Sequence, residues 1–360
     1  MKRLSLILPL LLFAGIVQGQ IPQVTDVKNV VALAQPPKKD FSKYARGHKT
    51  PANIKELHAA SWALHGKRLK SLPTITAAKW DCRDIGLVGP VRDQGQCGKC
   101  WDDSECGVLD STFIMAGIFK NDGTKSTSAQ WVIDCNQTGG CDGDDASTVA
   151  NIALKTGIPL TQDYGADLVP AGPGNCKSTA GMKFYKIDQM GYCAQQDGIA
   201  PVQSIKDAIV AYGPISSAVD AGGFNNYVSG VMPGDGNNVD HDVSIIGWDD
   251  SKGAWLVKNQ WSDQWGMAGY CWIPYSRWSI GTSAMLSYAK PIGPTPPPGP
   301  TPPPGPTPPP PAPGSTFTFK LDGYTIPGAS FTIPSGFRNV TTIRLPDTVI
   351  PAKTGTGTIK

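Results

Sequence analysis

The stretch Gln94-Gly95-Gln96-Cys97-Gly98-Lys99-Cys100-Trp101 sets a thiol and a side-chain amide in one short loop. A thiol becomes a strong nucleophile once a base takes its proton, and near neutral pH that base is most often imidazole. The chain has four histidines: His48, His58 and His65 precede this stretch, and His241 follows it in Val239-Asp240-His241-Asp242-Val243. If the N-terminal part is removed as a pro-segment, His241 is the imidazole that remains for Cys100. A second amide, Asn259, lies downstream in Lys258-Asn259-Gln260-Trp261. Residue types alone therefore reach cysteine–histidine nucleophilic chemistry, but they assign no role to Gln94 or Asn259.

Two other chemistries use the same residues. Cys97-Gly98-Lys99-Cys100 has the spacing of a thiol–disulfide oxidoreductase motif, although the aromatic residue normally precedes the first cysteine and here Trp101 follows the second. The same pair with Cys135 and Cys141 has the composition of a zinc site, but its second spacing is wide. The non-catalytic alternatives are a structural half-cystine at Cys100 and a satisfied core histidine at His241.

The three motifs, followed by Trp265-Gly266 and Gly269-Tyr270, resemble the papain/cathepsin-like cysteine peptidases from about Trp80 to Tyr288. The separation of Cys100 from His241 falls in that family's window, with Asn259 a little beyond. The resemblance implies an α+β, two-lobed papain-like fold, with a helical left lobe, a β-rich right lobe and a site in the groove between them. It implies a thiolate–imidazolium pair of Cys100 and His241 that hydrolyses peptide bonds through an acyl-thioester. Asn259 would accept the other imidazole N–H, shielded by Trp261, and Gln94 would stabilise the oxyanion together with the Cys100 backbone N–H. The family pattern pairs Cys97 with Cys141 and Cys135 with Cys176. Its substrate-binding positions fall on Gly143, Asp144, Asp145, Ala218, Asp240, Asp242 and Trp261. No cofactor and no metal is implied.

The chain departs from the family where acid replaces small or apolar residues. Asp102-Asp103 stand where relatives have Ala and Phe, Asp144 breaks a Gly-Gly pair, and Asp242 replaces a small residue. First-turn carboxylates suit a helix N-terminus, yet they oppose a nearby thiolate. Asp144, Asp145 and Asp242 map near the S2 subsite, which holds the second side chain before the scissile bond (P2). They predict a preference for Arg or Lys there and activity best below neutral pH. The same acids could instead bind calcium. Loss of the glycine at Asp144 could block substrate backbone and leave a catalytically impaired binding protein on the peptidase fold.

Around this domain, 360 residues with a net charge of +3 allow one large core and suggest neither nucleic acid nor an anionic membrane as partner. Lys2-Arg3, the apolar run Leu4 to Val17 and Gly19 read as a signal peptide over residues 1–19; the run is short for a membrane span. Export implies a secreted protein, or one of a lysosome-like or periplasmic compartment, whose nine cysteines form four bridges and leave one thiol. Cys82, Cys106, Cys193 and Cys271 would supply the two bridges beyond the family pattern.

Residues 20–74 read as a pro-segment with a helix over about Ala52–Leu69, or else as a disordered spacer. Their basic residues (Lys38, Lys39, Lys43, Arg46, Lys67, Arg68 and Lys70) would cover an acidic cleft, or simply form a solvated face.

Residues 75–290 hold the peptidase-like domain. Apolar periodicity predicts helices from Cys100 to about Ile118, after Ser128, over Ala146–Lys155 and over Val202–Ala211. Strands follow at Ile215–Val219, Asp242–Trp248, Ala254–Asn259 and Gly269–Pro274. Residues 291–314 are a polyproline linker, and residues 315–360 a small β-rich module that is either a binding appendage or a tail clipped after export. Asn136-Gln137-Thr138 and Asn339-Val340-Thr341 match glycosylation sequons. The expected partners are a peptide or protein substrate and the chain's own pro-segment, with the protein a monomer.

Overall fold

The computed structural model describes residues 39–135, 139–165, 172–292, 316–321 and 324–332. The expected signal peptide, the proline-rich linker from Gly293 and both sequons lie outside the described residues.

The elements follow in the order α1 (Ile54–Lys70), β1 (Lys79–Asp81), α2 (Cys100–Met115), α3 (Ala129–Cys135), α4 (Ala146–Lys155), α5 (Thr161–Tyr164), β2 (Gln189–Tyr192), α6 (Val202–Tyr212), β3 (Ile215–Val219), β4 (His241–Asp249), β5 (Ala254–Lys258), β6 (Tyr270–Pro274) and β7 (Thr282–Tyr288). Strands β2, β7, β3, β4, β5 and β6 lie side by side in that order, and β1 pairs with β4; all the pairings are antiparallel. A separate two-stranded hairpin joins β8 (Thr316–Leu321) to β9 (Tyr324–Thr332).

Two apolar cores result. Trp101, Leu109 and Phe113 of α2 pack with Val132 and Ile133 of α3 and Val149 of α4, while Val243, Trp248, Trp255, Val257 and Trp265 fill the sheet side. This is the two-lobed α+β arrangement. Ser128 caps α3 by accepting from the Trp131 N–H at 3.0 Å.

Helix α2 is buried from Cys100 to Phe113, between α3 and α4 on one side and β3, β4 and β7 on the other. Asp102 and Asp103 are therefore interior groups rather than solvated first-turn carboxylates. Asp103 meets Lys99 at 3.0 Å with both side chains fully buried, and Asp102 accepts from the Cys106 thiol at 3.2 Å. Glu105 accepts from Ser287 Oγ at 2.6 Å, and burial pushes its carboxyl up to about 8, so it is protonated at neutral pH. Arg92 reaches Asp110 at 2.8 Å and also donates to Ser126 and Thr127.

Disulfides join Cys97 to Cys141 and Cys135 to Cys176. The two further bridges expected of Cys82, Cys106, Cys193 and Cys271 do not form: all four are buried free thiols, as is Cys100. Cys106 lies in the helical core and the other three in the sheet core, where each serves as a small apolar side chain.

Residues 41–72 are packed rather than a solvated spacer. Helix α1 lies against β2, with the His58 ring stacked on Tyr192 at 3.8 Å between centroids and Ser61 Oγ accepting from the Tyr192 N–H at 3.0 Å. Arg68 sits over the Tyr212 and Tyr288 rings at 5.3 and 4.9 Å.

The Lys99–Asp103 pair gives a direct test of the buried charges beneath Cys100. Lys99→Met strips Asp103 of its cation in a fully buried site, and should cost about 3–5 kcal/mol in denaturant unfolding; a loss below about 1 kcal/mol would show that Asp103 is solvated or otherwise neutralised.

Candidate active site

The β4–β5 pairing, with Ser244 opposite Lys258, brings together the start of one strand and the end of the next. His241 opens β4, Asn259 follows the last residue of β5, and the His241 Nε2–H donates to Asn259 Oδ1 at 2.9 Å. The ring is fully buried, edge-on to Phe224 at 5.7 Å and tilted against Trp261 at 5.3 Å. Its other nitrogen, Nδ1, is buried with no hydrogen-bond partner.

Trp261 does more than cover that bond. Its indole N–H donates to Gln94 Oε1 at 3.1 Å, which fixes the amide and turns Nε2 toward the carbonyls of Cys97 and Ala45, both at 2.9 Å. The Trp261 indole is fully buried beneath Phe41 and Tyr44 of the N-terminal segment rather than open to a substrate.

Cys100 heads α2, where unpaired N–H groups collect. The disulfide from Cys97 to Cys141 and the Gly98 N–H on the Cys141 carbonyl, at 3.0 Å, hold the loop before it. Gln260 ties the two lobes beneath the pair: its side-chain amide donates to the Asp242 carbonyl at 2.5 Å and contacts the Cys100 carbonyl and His241 Nε2, each at 3.4 Å.

The N-terminal segment lies across these groups. The Gly47 N–H donates to Cys100 Sγ at 3.2 Å, and a Cβ at Gly47 would stand 1.8 Å from the Gly98 carbonyl oxygen. Only glycine lets the backbone come so close. Gly143 is matched to it: its φ is 99°, and a Cβ there would stand 2.3 Å from the Gly47 oxygen. The Asp144 N–H donates to Gly47 O and the Lys49 N–H to Asp144 O, both at 2.9 Å, so the residue in place of the expected glycine still pairs by its backbone. Arg46 reaches Asp240 at 2.7 Å.

His48 lies between these contacts with its ring buried. Nδ1 meets Asp242 Oδ2 at 2.9 Å, Asp145 Oδ2 stands at 4.0 Å, and Nε2 meets Thr50 Oγ1 at 3.1 Å. Ala218 pairs with Asp242 in the β3–β4 register beside this pocket. The three acids do not converge as one cluster. Asp145 also caps α4 by accepting from the Ser147 N–H, while Asp144 Oδ1 accepts from the Asp145 N–H and the Thr148 hydroxyl, at the α4 end.

The covered thiol is not the low-pKa group that a helix N-terminus alone predicts. Burial pushes the Cys100 thiol far above its ordinary value, with Asp242 adding, against backbone N–H groups of Asp242, Gly47 and Trp101. Burial likewise brings His241 down to about 4 despite the Asn259 hydrogen bond. Thiol and imidazole are both neutral while the segment is in place.

The disulfides exclude the two other thiol chemistries. Cys97 is bonded to Cys141, so Cys97 and Cys100 are no redox pair. Three of the four cysteines proposed for zinc are consumed in disulfides.

Gly47, His48 and Gln260 carry no motif of their own: no local signal marks a glycine that the fold places over a sulfur, a histidine it seats between carboxylates or an amide it sets between two lobes.

Residues 76–289 match the model of the papain family cysteine proteases, and the chain belongs to that family. It is 34% identical over 231 residues to the rice oryzain beta chain, covering 60% of this chain and 47% of that protein. Viral cathepsin of a Choristoneura fumiferana nuclear polyhedrosis virus is 30% identical, over 53% of this chain and 57% of the relative. The chain thus spans about half the length of the curated relatives it matches. Among solved structures it is similar to digestive procathepsin L2 from Tenebrio molitor larval midgut, with a TM-score of 0.57, 27% identity and coverage of 69% and 79% of the two chains. The pineapple bromelain protease solved with the E64 inhibitor gives 0.51 and 26%, over 60% of this chain and all of that one.

Titration of the imidazole tests the geometry directly. In the full chain, His241 followed by NMR should remain neutral down to about pH 4; protonation at 6.5 or above would mean that the ring is exposed. Because its folded value is the lower one, His241 should favour unfolding progressively as pH falls from about 6.5 toward 4.

Proposed function

We propose that this chain is the latent form of a secreted cysteine endopeptidase. In this reading residues 1–19 are the signal peptide, 20–74 the inhibitory pro-segment and 75–290 the catalytic domain, with residues 291–314 a linker to a small module over 315–360. One observation carries the proposal: residues 45–48 occupy the groove as a bound peptide would. The Ala45 carbonyl accepts from Gln94, and the Gly47 backbone caps the Cys100 sulfur.

Removal of the segment re-solvates the pair. The helix N-terminus and the neighbouring backbone N–H groups then favour the thiolate, and His241 Nδ1, without a partner in the covered site, takes the thiol proton. Cys100 Sγ attacks the substrate carbonyl carbon, and Gln94 Nε2 with the Cys100 N–H donates to the oxyanion that forms. The tetrahedral intermediate collapses as His241 returns its proton to the departing amine, leaving the acyl-thioester. Water, deprotonated by the same ring, then releases the acid and restores the thiol. Asn259 fixes the ring throughout, and Trp261 orients Gln94.

The groove favours a cation at P2. Asp242 and Asp145 line the pocket that receives His48, beside the Asp144 backbone on which a substrate strand would pair. Asp240 extends the acidic wall toward Arg46.

Turnover of a P2-varied peptide library by the matured protein tests both parts. We expect Arg or Lys at P2 to exceed Leu in kcat/KM, and His241→Ala to abolish turnover. Gln94→Ala should lower kcat by about 10²–10³, the cost of one oxyanion donor. A tenfold preference for Leu would refute the acidic pocket, and absence of any turnover would refute the peptidase.

A further inference from the structure

Arginine and lysine are cations at every physiological pH, but the side chain that occupies this pocket in the latent chain is a histidine. We propose that the pocket between Asp242 and Asp145 is a proton-linked histidine site, whose first ligand is His48 of the same chain and whose occupation sets the strength of latency. The inference rests on the reading of residues 20–74 as a pro-segment; it does not require the groove to hydrolyse peptides.

The geometry is that of a built site. The imidazole is enclosed, and its two nitrogens meet one carboxylate and one hydroxyl: Asp242 Oδ2 at 2.9 Å and Thr50 Oγ1 at 3.1 Å. Asp145 stands behind at 4.0 Å. Backbone pairing on both sides of His48 holds the ring in register: Asp144 N–H on Gly47 O, Lys49 N–H on Asp144 O and His48 N–H on Asp240 O at 3.1 Å. Either protonation state satisfies both partners, because the Thr50 hydroxyl can donate to a neutral Nε2 or accept from a protonated one. What favours the imidazolium is charge: one carboxylate in contact at 2.9 Å and a second at 4.0 Å.

The surrounding charges all bear on this ring. Asp242 comes from β4, Asp145 from the start of α4, and Asp240 from the loop before β4, where Arg46 partly offsets it at 2.7 Å. Glu105 and Tyr192 lie behind Asp145; Glu105 is protonated at neutral pH, and burial pushes the Tyr192 phenol up so that it stays neutral. Cys100, whose sulfur meets the Gly47 N–H, and His241, next to Asp242 in β4, are both neutral here. Burial opposes a charge on His48, but Asp242, then Asp145 and Asp240, outweigh it and raise the imidazole to about 9. A released segment returns the ring to about 6.5. The sign follows: docking is tightest below about 6.5 and weakens as pH rises through 9. Asp145, raised to about 6 by burial and by Asp242, gives up its charge on the acid side, where Asp242 remains the nearer partner.

This device acts against the other two upstream histidines. His58, stacked on Tyr192 with Nε2 unpartnered, and His65 beside Gly191 are both lowered, His58 by burial and His65 by burial and Arg68. Protonation of these two rings at low pH opposes the packing of helix α1, whereas protonation of His48 favours its own contact.

The test is the rate at which a small thiol reagent modifies Cys100 in the full chain, read by peptide mass mapping, for wild type and His48→Gln. Taking the ratio of the two rates at each pH removes the intrinsic pH dependence of the thiol. The ratio should be at least tenfold at pH 6 and should fall toward one above pH 9.5 (the window set by the two histidine values). A ratio near one at pH 6, or one that does not change with pH, overturns the proposal. If His48→Gln fails to fold, NMR titration of His48 in the full-length Cys100→Ala chain decides: a midpoint near 9 supports the site and one near 6.5 removes it. The expected ratio in the full chain, together with no peptide turnover by the matured protein, would refute the peptidase reading and leave this one standing.

Discussion

The contact on which this structure turns is a backbone N–H laid on a sulfur. Gly47 can reach Cys100 Sγ at 3.2 Å because it has no side chain, and Gly143 on the opposite wall has none either. Everything about the latent site follows from that closeness. Main chain covers the sulfur, and burial raises the thiol and lowers the imidazole until neither carries charge. Burial, with Asp242 adding at the thiol, therefore keeps Cys100 and His241 uncharged while Gly47 covers the sulfur.

Acid residues that look like damage to a family pattern have separate physical uses. Asp103 and Asp102 are internal partners of Lys99 and Cys106 beneath the thiol. Asp145 caps a helix and faces the pocket, and Asp144 keeps the backbone pairing for which a glycine is usual. Asp242 alone points straight at the ring of the bound segment. By residue type the five are alike; the fold separates them by what each carboxylate oxygen touches.

Much of this was readable in advance, and the division has a cause. Cys100 and His241 stood out because few side chains can do thiol chemistry, and strand and helix positions such as Ile215–Val219 and Ala146–Lys155 were written in apolar periodicity. Gln94 and Asn259 were reachable only through family resemblance, since an amide has no signature of its own. The free state of Cys82, Cys106, Cys193 and Cys271 was not legible, because export and an odd count say nothing of which lobe a thiol packs in. Nor were the buried charges of α2, whose surroundings on both sides come from distant segments. His48 and Gln260 acquire meaning only when two lobes and a third strand of chain close on one point.

The central claim is that Cys100, once uncovered, is a nucleophile made reactive by His241. The most direct measurement is the pH dependence of Cys100 alkylation by a thiolate-selective reagent in the matured protein, beside His241→Ala. The account predicts a reactive thiolate persisting well below the ordinary thiol value of about 8.5, and its loss when the imidazole is removed. Identical profiles in both proteins, each rising only near that ordinary value, would contradict it.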